Sequence, residues 1–324
     1  MSNERERKHC YDRLITYEKG EQMKSVIYTK GLTKYYGDAE IVSNVNLHLK
    51  KGEIYGLLGE NGAGKSTIMK MLVNLVKPTD GYVELFGEKL EKNSLELMKR
   101  IGMIIEEPIF YRNLTVMENK KLHCEYMGYY NWKDIDRALE MLNLSGAMNK
   151  KITQLSLGMK QRLAIARAIV TKPELLILDE PINGLDPTGI KEVRNLFREL
   201  NEKDGVTILI SSHILSEVEQ VASTIGVISQ HHLTKEISMT DIHAKEGKYL
   251  EVKVDNVQNA CVVFDSILGL KQYKIMNEEM IRIYEEVNQN EIMTALINRG
   301  IEIKGISRKE LSLEDYFFES IKEN

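Results

Sequence analysis

Cysteine is scarce in this chain: Cys10, Cys124 and Cys261 are odd in number, far apart and form no Cys-x-x-Cys pair. That pattern offers neither a disulfide framework nor a structural zinc site, and it fits a reducing compartment. Long apolar runs are lacking as well. The strongest, Leu175–Leu178 and Val206–Ile210, are strand-sized, far short of the ~20 apolar residues that a membrane-spanning helix needs. Basic excess is also missing, since 44 Lys and Arg stand against 48 Asp and Glu for a formal net charge of -4. Affinity for nucleic-acid phosphates needs the opposite balance, so no nucleic-acid partner is expected. The first residues, Met1 to Gln22, are dominated by Glu, Arg and Lys without the apolar stretch of a signal peptide. Residues 1–25 read as a charged tail, with Met23 as an alternative translation start directly ahead of the first strand-like run.

What is present is material for a substantial core: 324 residues, 43% hydrophobic and 28% charged, enough for one large domain or two ordinary ones. From Val26 short β-rich runs alternate with helical patterns, which indicates an α/β architecture. Val26–Tyr28, Val45–Leu49, Ile54–Leu58 and Tyr82–Leu85 read as strands, followed between about Leu95 and Lys151 by a helical insert, drawn as about 95–165. Strand-like runs return at Leu175–Leu178, Val206–Ile210 and Ile225–Ile228. Past roughly Glu236 the pattern becomes strand, helix, strand, strand, helix, strand, the order of a split-βαβ, ferredoxin-like domain. The expected division is therefore a large domain over 26–236 and a small α+β domain over 237–324, closed by a helical tail at Ser312–Ile321.

The strongest chemical signal is Gly59-Glu60-Asn61-Gly62-Ala63-Gly64-Lys65-Ser66-Thr67, a P-loop pattern placed between an apolar strand and a helix. Glycines at 59, 62 and 64 let the backbone wrap phosphate oxygens, with N–H groups and a helix N-terminus facing the anion. Lys65 would reach the terminal phosphates of ATP, and Ser66 would place its hydroxyl on Mg²⁺. Downstream, Leu175-Leu176-Ile177-Leu178 ends in Asp179-Glu180, carboxylates at the carboxyl edge of a buried parallel strand, where α/β sheets bind ligands. Alone, such a pair is more often a strand entering a solvated turn. Beside a P-loop, Asp179 is expected to support the Mg²⁺ shell and Glu180 to accept a proton from an attacking water.

Between these segments stands Leu155-Ser156-Leu157-Gly158-Met159-Lys160-Gln161-Arg162, which resembles the signature motif of ABC ATPases. With all three segments in order over Val26 to Glu236, the chain resembles the ATP-binding subunit of an ABC transporter: a P-loop ATPase with a helical subdomain. The resemblance implies that Ser156, Gly158 and Met159 meet ATP held by the opposite subunit. Leu157 departs from the glycine usual in the family. Tyr36 resembles the aromatic that stacks on adenine, with Tyr35 as the alternative. Asp186, in Asn183-Gly184-Leu185-Asp186-Pro187, resembles the aspartate that meets the partner subunit, and is also placed to cap the next helix. His213, after Val206–Ile210, resembles the switch histidine at the γ-phosphate. Glu106 replaces the usual glutamine that helps hold Mg²⁺ while its loop faces the permease; Glu107 is the neighbouring candidate. That glutamate, with the Leu-Gly-Met-Lys-Gln-Arg form of the signature, resembles exporters conferring resistance to bacitracin and lantibiotic peptides. One P-loop and one signature segment imply a homodimer or a pairing with a close paralogue, peripheral at the cytoplasmic face of the membrane through a separate permease. A soluble ABC ATPase with a non-membrane target and an importer subunit are the alternatives.

Overall fold

The computed structural model describes residues 25–91, 94–240 and 248–310. Two compact units divide between Met239 and Thr240. In the first, β1 (Ser25–Tyr36), β2 (Ala39–Val45) and β3 (His48–Lys50) begin an antiparallel sheet. The chain then enters a second sheet through β4 (Ile54–Gly59), turns into α1 (Lys65–Leu72), and returns to the first as β5 (Asp80–Leu85) and β6 (Glu88–Lys89). The expected single strand Val45–Leu49 is split. Asn44 is left-handed at φ 47°, and the Thr29 hydroxyl donates to Val45 O (3.0 Å) while accepting from Leu47 N (2.7 Å). That side chain replaces two ladder bonds, so pairing to β1 passes from β2 to β3 across a bend.

After α2 (Leu95–Lys99) comes β7 (Ile101–Ile104), a correction to the helical reading of this region. Ile101 and Ile104 are buried, and β7 pairs in parallel with β8 (Leu175–Asp179), which a four-residue strand can do without a visible period of its own. Helical structure therefore resumes only at α3 (Val116–Tyr126), which opens on a Thr115–Glu118 capping box, and continues with α4 (Trp132–Glu140) and α5 (Leu157–Ile169). α6 (Pro187–Asp204) follows β8 with Asp186 as N-cap, proline at its first position and left-handed Gly205 after its end. Then come β9 (Thr207–Ser212), α7 (Leu215–Glu219), β10 (Thr224–Ser229) and β11 (His232–Ser238).

The central sheet has the order β11-β10-β4-β9-β8-β7, parallel except for the edge strand β11. Its inner strands read as continuous apolar runs because both faces are covered. Ile54, Leu176, Leu178, Ile208 and Ile210 point into one core with α3 to α6, while Tyr55, Leu57, Leu175, Ile177 and Leu209 point into a second with α1 and the antiparallel sheet. This places the carboxyl ends of β4, β8 and β9 side by side at one edge. The second unit contains β12 (Lys248–Val254), α8 (Val257–Val263) with a π-helical turn through Leu268, β13 (Tyr273–Asn277), β14 (Met280–Ile283), α9 (Gln289–Ile297) and β15 (Ile303–Glu310). Its antiparallel sheet has the order β13-β14-β12-β15, in which β12 and β13 are split by the strand between them. The residues expected to form a tail helix, Ser312–Ile321, lie outside those described, as do residues 1–24. Among the described residues no helix is long and apolar enough to cross a membrane.

Candidate active site

β4 delivers Gly59 at the sheet edge, and the loop through Gly64 hands the chain to α1, whose first N–H groups have no helical carbonyl to bond. Gly64 has φ 107°, and a Cβ there would lie 2.5 Å from Ile41 O. Only glycine can pass this close to β2 in that conformation. Lys65 is then folded inward at 6% exposure, its Nζ donating to Gly59 O (2.7 Å) and Glu60 O (3.1 Å). Burial pulls the Lys65 pKa down, and Glu180 and Asp179 oppose that pull.

β8 and β9 bring the other half. Glu180 is left-handed at φ 46°, a conformation unusual for a residue with a side chain. It is held from the backbone: its N–H donates to Ser211 Oγ (3.0 Å), and its carbonyl accepts from Gln161 Nε2 (3.4 Å). Gln161, buried on α5, also donates to Pro181 O at 2.8 Å. With its backbone so restrained, the Glu180 carboxylate stands 3.8 Å from Lys65 Nζ, and His213 Nδ1 is 3.0 Å from each of its oxygens. Asp179 is buried and accepts from Ser211 Oγ at 2.5 Å. Ser211 thus links the two acids, and Gln161 ties the signature helix to the segment that carries Glu180. Both lie inside motifs visible in the sequence, but their contacts depend on neighbouring strands and give no signal of their own.

The remaining sequence candidates are placed as follows. Ser156 caps α5, accepting from Met159 N at 3.2 Å, and Asp186 caps α6, accepting from Gly189 N at 3.2 Å. The two caps are joined through Leu157 and Gly184. Leu157 is 69% exposed, and a Cβ on Gly184, where φ is 78°, would lie 2.8 Å from Leu157 Cδ2. Gly158 faces the same loop, its Cβ position 3.2 Å from Gly184 O. The departure from glycine at Leu157 therefore packs the signature turn onto the loop before α6. Gly184→Ala should cost about 1 kcal/mol from the left-handed backbone alone, with displacement of Leu157 added, and thermal denaturation measures the loss. Tyr36, half-exposed, carries Lys34 Nζ 5.1 Å above its ring, whereas the Tyr35 hydroxyl donates to Glu40 Oε1 at 2.7 Å. Both rings are exposed, Tyr36 at 51% and Tyr35 at 40%. Glu106, at φ 57° and largely exposed, is paired with Lys70 on α1.

A desolvated ammonium at a helix N-terminus, satisfied only by loop carbonyls and one carboxylate, fits a polyphosphate anion. Among the described residues no group of three or more His, Cys, Asp and Glu side chains forms a metal cage. Ser66 on α1 and Asp179 at the end of β8 offer the hydroxyl and carboxylate oxygens that suit a cation of the Mg²⁺ type, which takes few protein ligands and completes its shell with substrate oxygens and water.

A family model described as ABC transporter matches residues 42–183. An ABC transporter ATP-binding protein of Bacillus subtilis, YcbN, is 54% identical over 303 residues, covering 93% of this chain and 99% of the relative. The bacitracin transport ATP-binding protein BcrA of Bacillus licheniformis is 43% identical, with 92% and 98% covered. Among solved structures, a dimeric ATP-binding cassette in a post-hydrolysis state bound to ADP and Pi superposes with a TM-score of 0.61 at 30% identity, over 66% of this chain and 98% of that one. The P-loop, the Asp179–Glu180 edge and near full-length likeness to such relatives lead to one conclusion: the chain belongs to the ABC transporter family as an ATP-binding, ATP-hydrolysing subunit.

Proposed function

We propose that two copies of this chain form the ATPase of an exporter of antimicrobial peptides, acting on a separate membrane permease. The observation that carries the catalytic half is the restrained Glu180 carboxylate between Lys65 and His213. ATP is the substrate, cradled by residues 59–67 with Tyr36 against the adenine. Ser156, Gly158 and Met159 of the other copy complete the site, and Asp186 lies beside the dimer contact. Ser66 and Asp179, with Glu106 after release from Lys70, would hold Mg²⁺, which when bound neutralises charge on the phosphates. Glu180 accepts a proton from the attacking water. His213 orients that carboxylate and is positioned to follow the loss of the terminal phosphate. Lys65 moves its ammonium from the loop carbonyls to the substrate's phosphates. The export reading draws on the bacitracin transport relative and on the Glu106 substitution. In mild detergent, the full chain extracted from its native membrane should bring down a polytopic membrane protein in stoichiometric amount; recovery of the chain alone overturns the permease part.

Glu106 then separates ATP binding from coupling. Glu106→Gln retains an oxygen ligand and should lower Mg²⁺-dependent turnover only about two- to fivefold, equivalent to roughly 0.4–1 kcal/mol. Glu106→Ala removes the ligand and the partner of Lys70, so transport should fall further than ATP affinity. Glu107→Ala is the control and should be mild. Calorimetry, ATPase rate and transport, measured on all three with the permease present, decide the assignment; full transport in Glu106→Ala removes it.

A further inference from the structure

Two strands outside the P-loop press on its two ends. At the start, β10 runs beside β4 with Ile228 opposite Gly59, and a Cβ on Gly59 would stand 2.6 Å from Ile228 O. At the end, β2 crosses Gly64, whose Cβ position is 2.5 Å from Ile41 O and 3.1 Å from Val42 Cγ2. β10 and β2 belong to different sheets, and β2 is the outer strand of its own. What joins them is the turn that leaves β10.

That turn is short and strained. Ser229 pairs with His232, and the two residues between them, Gln230 (φ 46°) and His231 (φ 71°), are both left-handed, as a type I′ hairpin turn requires. Glycine adopts this conformation freely, whereas a histidine is strained in it. His231 is held there by two bonds to β2. Its carbonyl accepts from Ser43 N (2.9 Å), and its half-buried ring places Nδ1 3.1 Å from Ile41 O. A carbonyl oxygen only accepts, so Nδ1 carries the hydrogen. The carbonyl bound in this way is the one that lies over Gly64. Further along β2, Glu40 accepts from the Tyr35 hydroxyl (2.7 Å) and Ala39 pairs with Tyr36. One strand therefore reaches from the end of the P-loop to the aromatic pair, and the His231 ring fixes it midway.

We propose that His231 is a positioning residue for ATP, whose ring closes a brace around the P-loop from Gly59 through Ile228 and Ile41 to Gly64. This rests on the reading of residues 59–67 and Tyr36 as the ATP cradle. His231 acts through β2 and does not touch the nucleotide. Backbone N–H groups bind an anion best when they already point at it, and the brace keeps the loop and the Tyr36 strand in that arrangement before ATP arrives. Without the ring bond β2 is free to draw back from Gly64, and ATP must then order the loop as it binds. Glu180 is set by Ser211 and Gln161, so hydrolysis of bound ATP does not depend on His231.

The test compares the full wild-type chain with His231→Gly and His231→Asn. Glycine suits the left-handed turn, keeps the backbone bond to Ser43 and deletes only the ring. Asparagine tolerates the same backbone and carries its amide nitrogen on Cγ, as histidine carries Nδ1. His231→Gly should raise the KM for ATP about three- to tenfold, the net effect of one hydrogen bond, with kcat within about twofold of wild type. His231→Asn should return KM to within about twofold of wild type. Without nucleotide, hydrogen exchange over residues 39–45, read by mass spectrometry, should quicken in His231→Gly and not in His231→Asn. An unchanged KM in His231→Gly, an equal rise in His231→Asn, a loss confined to kcat, or a raised KM without faster exchange overturns the brace. Lys65→Met, measured beside them, tests the cradle itself. If that variant binds ATP as the wild type does, the cradle reading falls and the brace with it; if it binds weakly while His231→Gly keeps a normal KM, the brace alone is removed.

Discussion

Glu180→Gln should bind ATP as the wild type does, lose roughly 10²–10⁴-fold in turnover, and accumulate as a dimer in Mg-ATP. The contacts that place residue 180 are made by its backbone, through Ser211 and Gln161, so the substitution does not disturb the left-handed turn. An amide of the same shape still meets His213, whose Nδ1 is 3.0 Å from each carboxylate oxygen, through its one carbonyl oxygen. What disappears is the ability to accept a proton at neutral pH. In the proposed composite site, binding energy for ATP comes from the P-loop and the opposing signature turn and is untouched, so the closed dimer should persist when its exit through hydrolysis is blocked. Single-turnover phosphate release, calorimetry and size-exclusion chromatography with Mg-ATP test the three parts together. A monomer at concentrations that dimerise the wild type, or turnover within about tenfold of wild type, would sink the role given to Glu180.

The P-loop was legible because its chemistry is local: backbone wrapping, ammonium and hydroxyl all lie within Gly59–Thr67, where a linear pattern records them. The buried strands β4, β8 and β9 were legible as apolar runs because both of their faces are covered. β7 was not, since four residues beside helical segments show no period, and its strand character comes from pairing with β8. The same distinction separates the site residues. Asp179 and Glu180 stand out at the end of a strand, whereas Ser211 matters because β9 runs beside β8, a pairing made in space. Lys120 was invisible for a similar reason: in a polar stretch of α3 a lysine reads as solvated, whereas tertiary packing leaves it 1% exposed.

Lys65→Met should weaken ATP binding by at least roughly 10²-fold without weakening the fold. The ammonium is held by Gly59 O (2.7 Å) and Glu60 O (3.1 Å), with the Glu180 carboxylate 3.8 Å away. These contacts do not fully offset desolvation, because the folded pKa lies below the ordinary 10.5. The sign follows from linkage: a basic group with a lowered folded pKa costs stability wherever it is charged, across neutral pH, and the cost fades as pH rises through the folded value toward 10.5. Methionine removes that cost and fills the same recess, so the melting temperature should stay level or rise, most visibly at neutral pH. Toward nucleotide the change runs the other way. Charge-assisted hydrogen bonds to phosphate are worth about 1.5–3 kcal/mol each, and losing two of them amounts to at least a hundredfold in affinity. Calorimetric titration with Mg-ATP, beside thermal melts of both proteins, separates the two effects. Near-normal affinity in a well-folded Lys65→Met protein would mean that the ammonium never leaves the loop carbonyls, and the cradle would have to bind phosphate through its backbone alone.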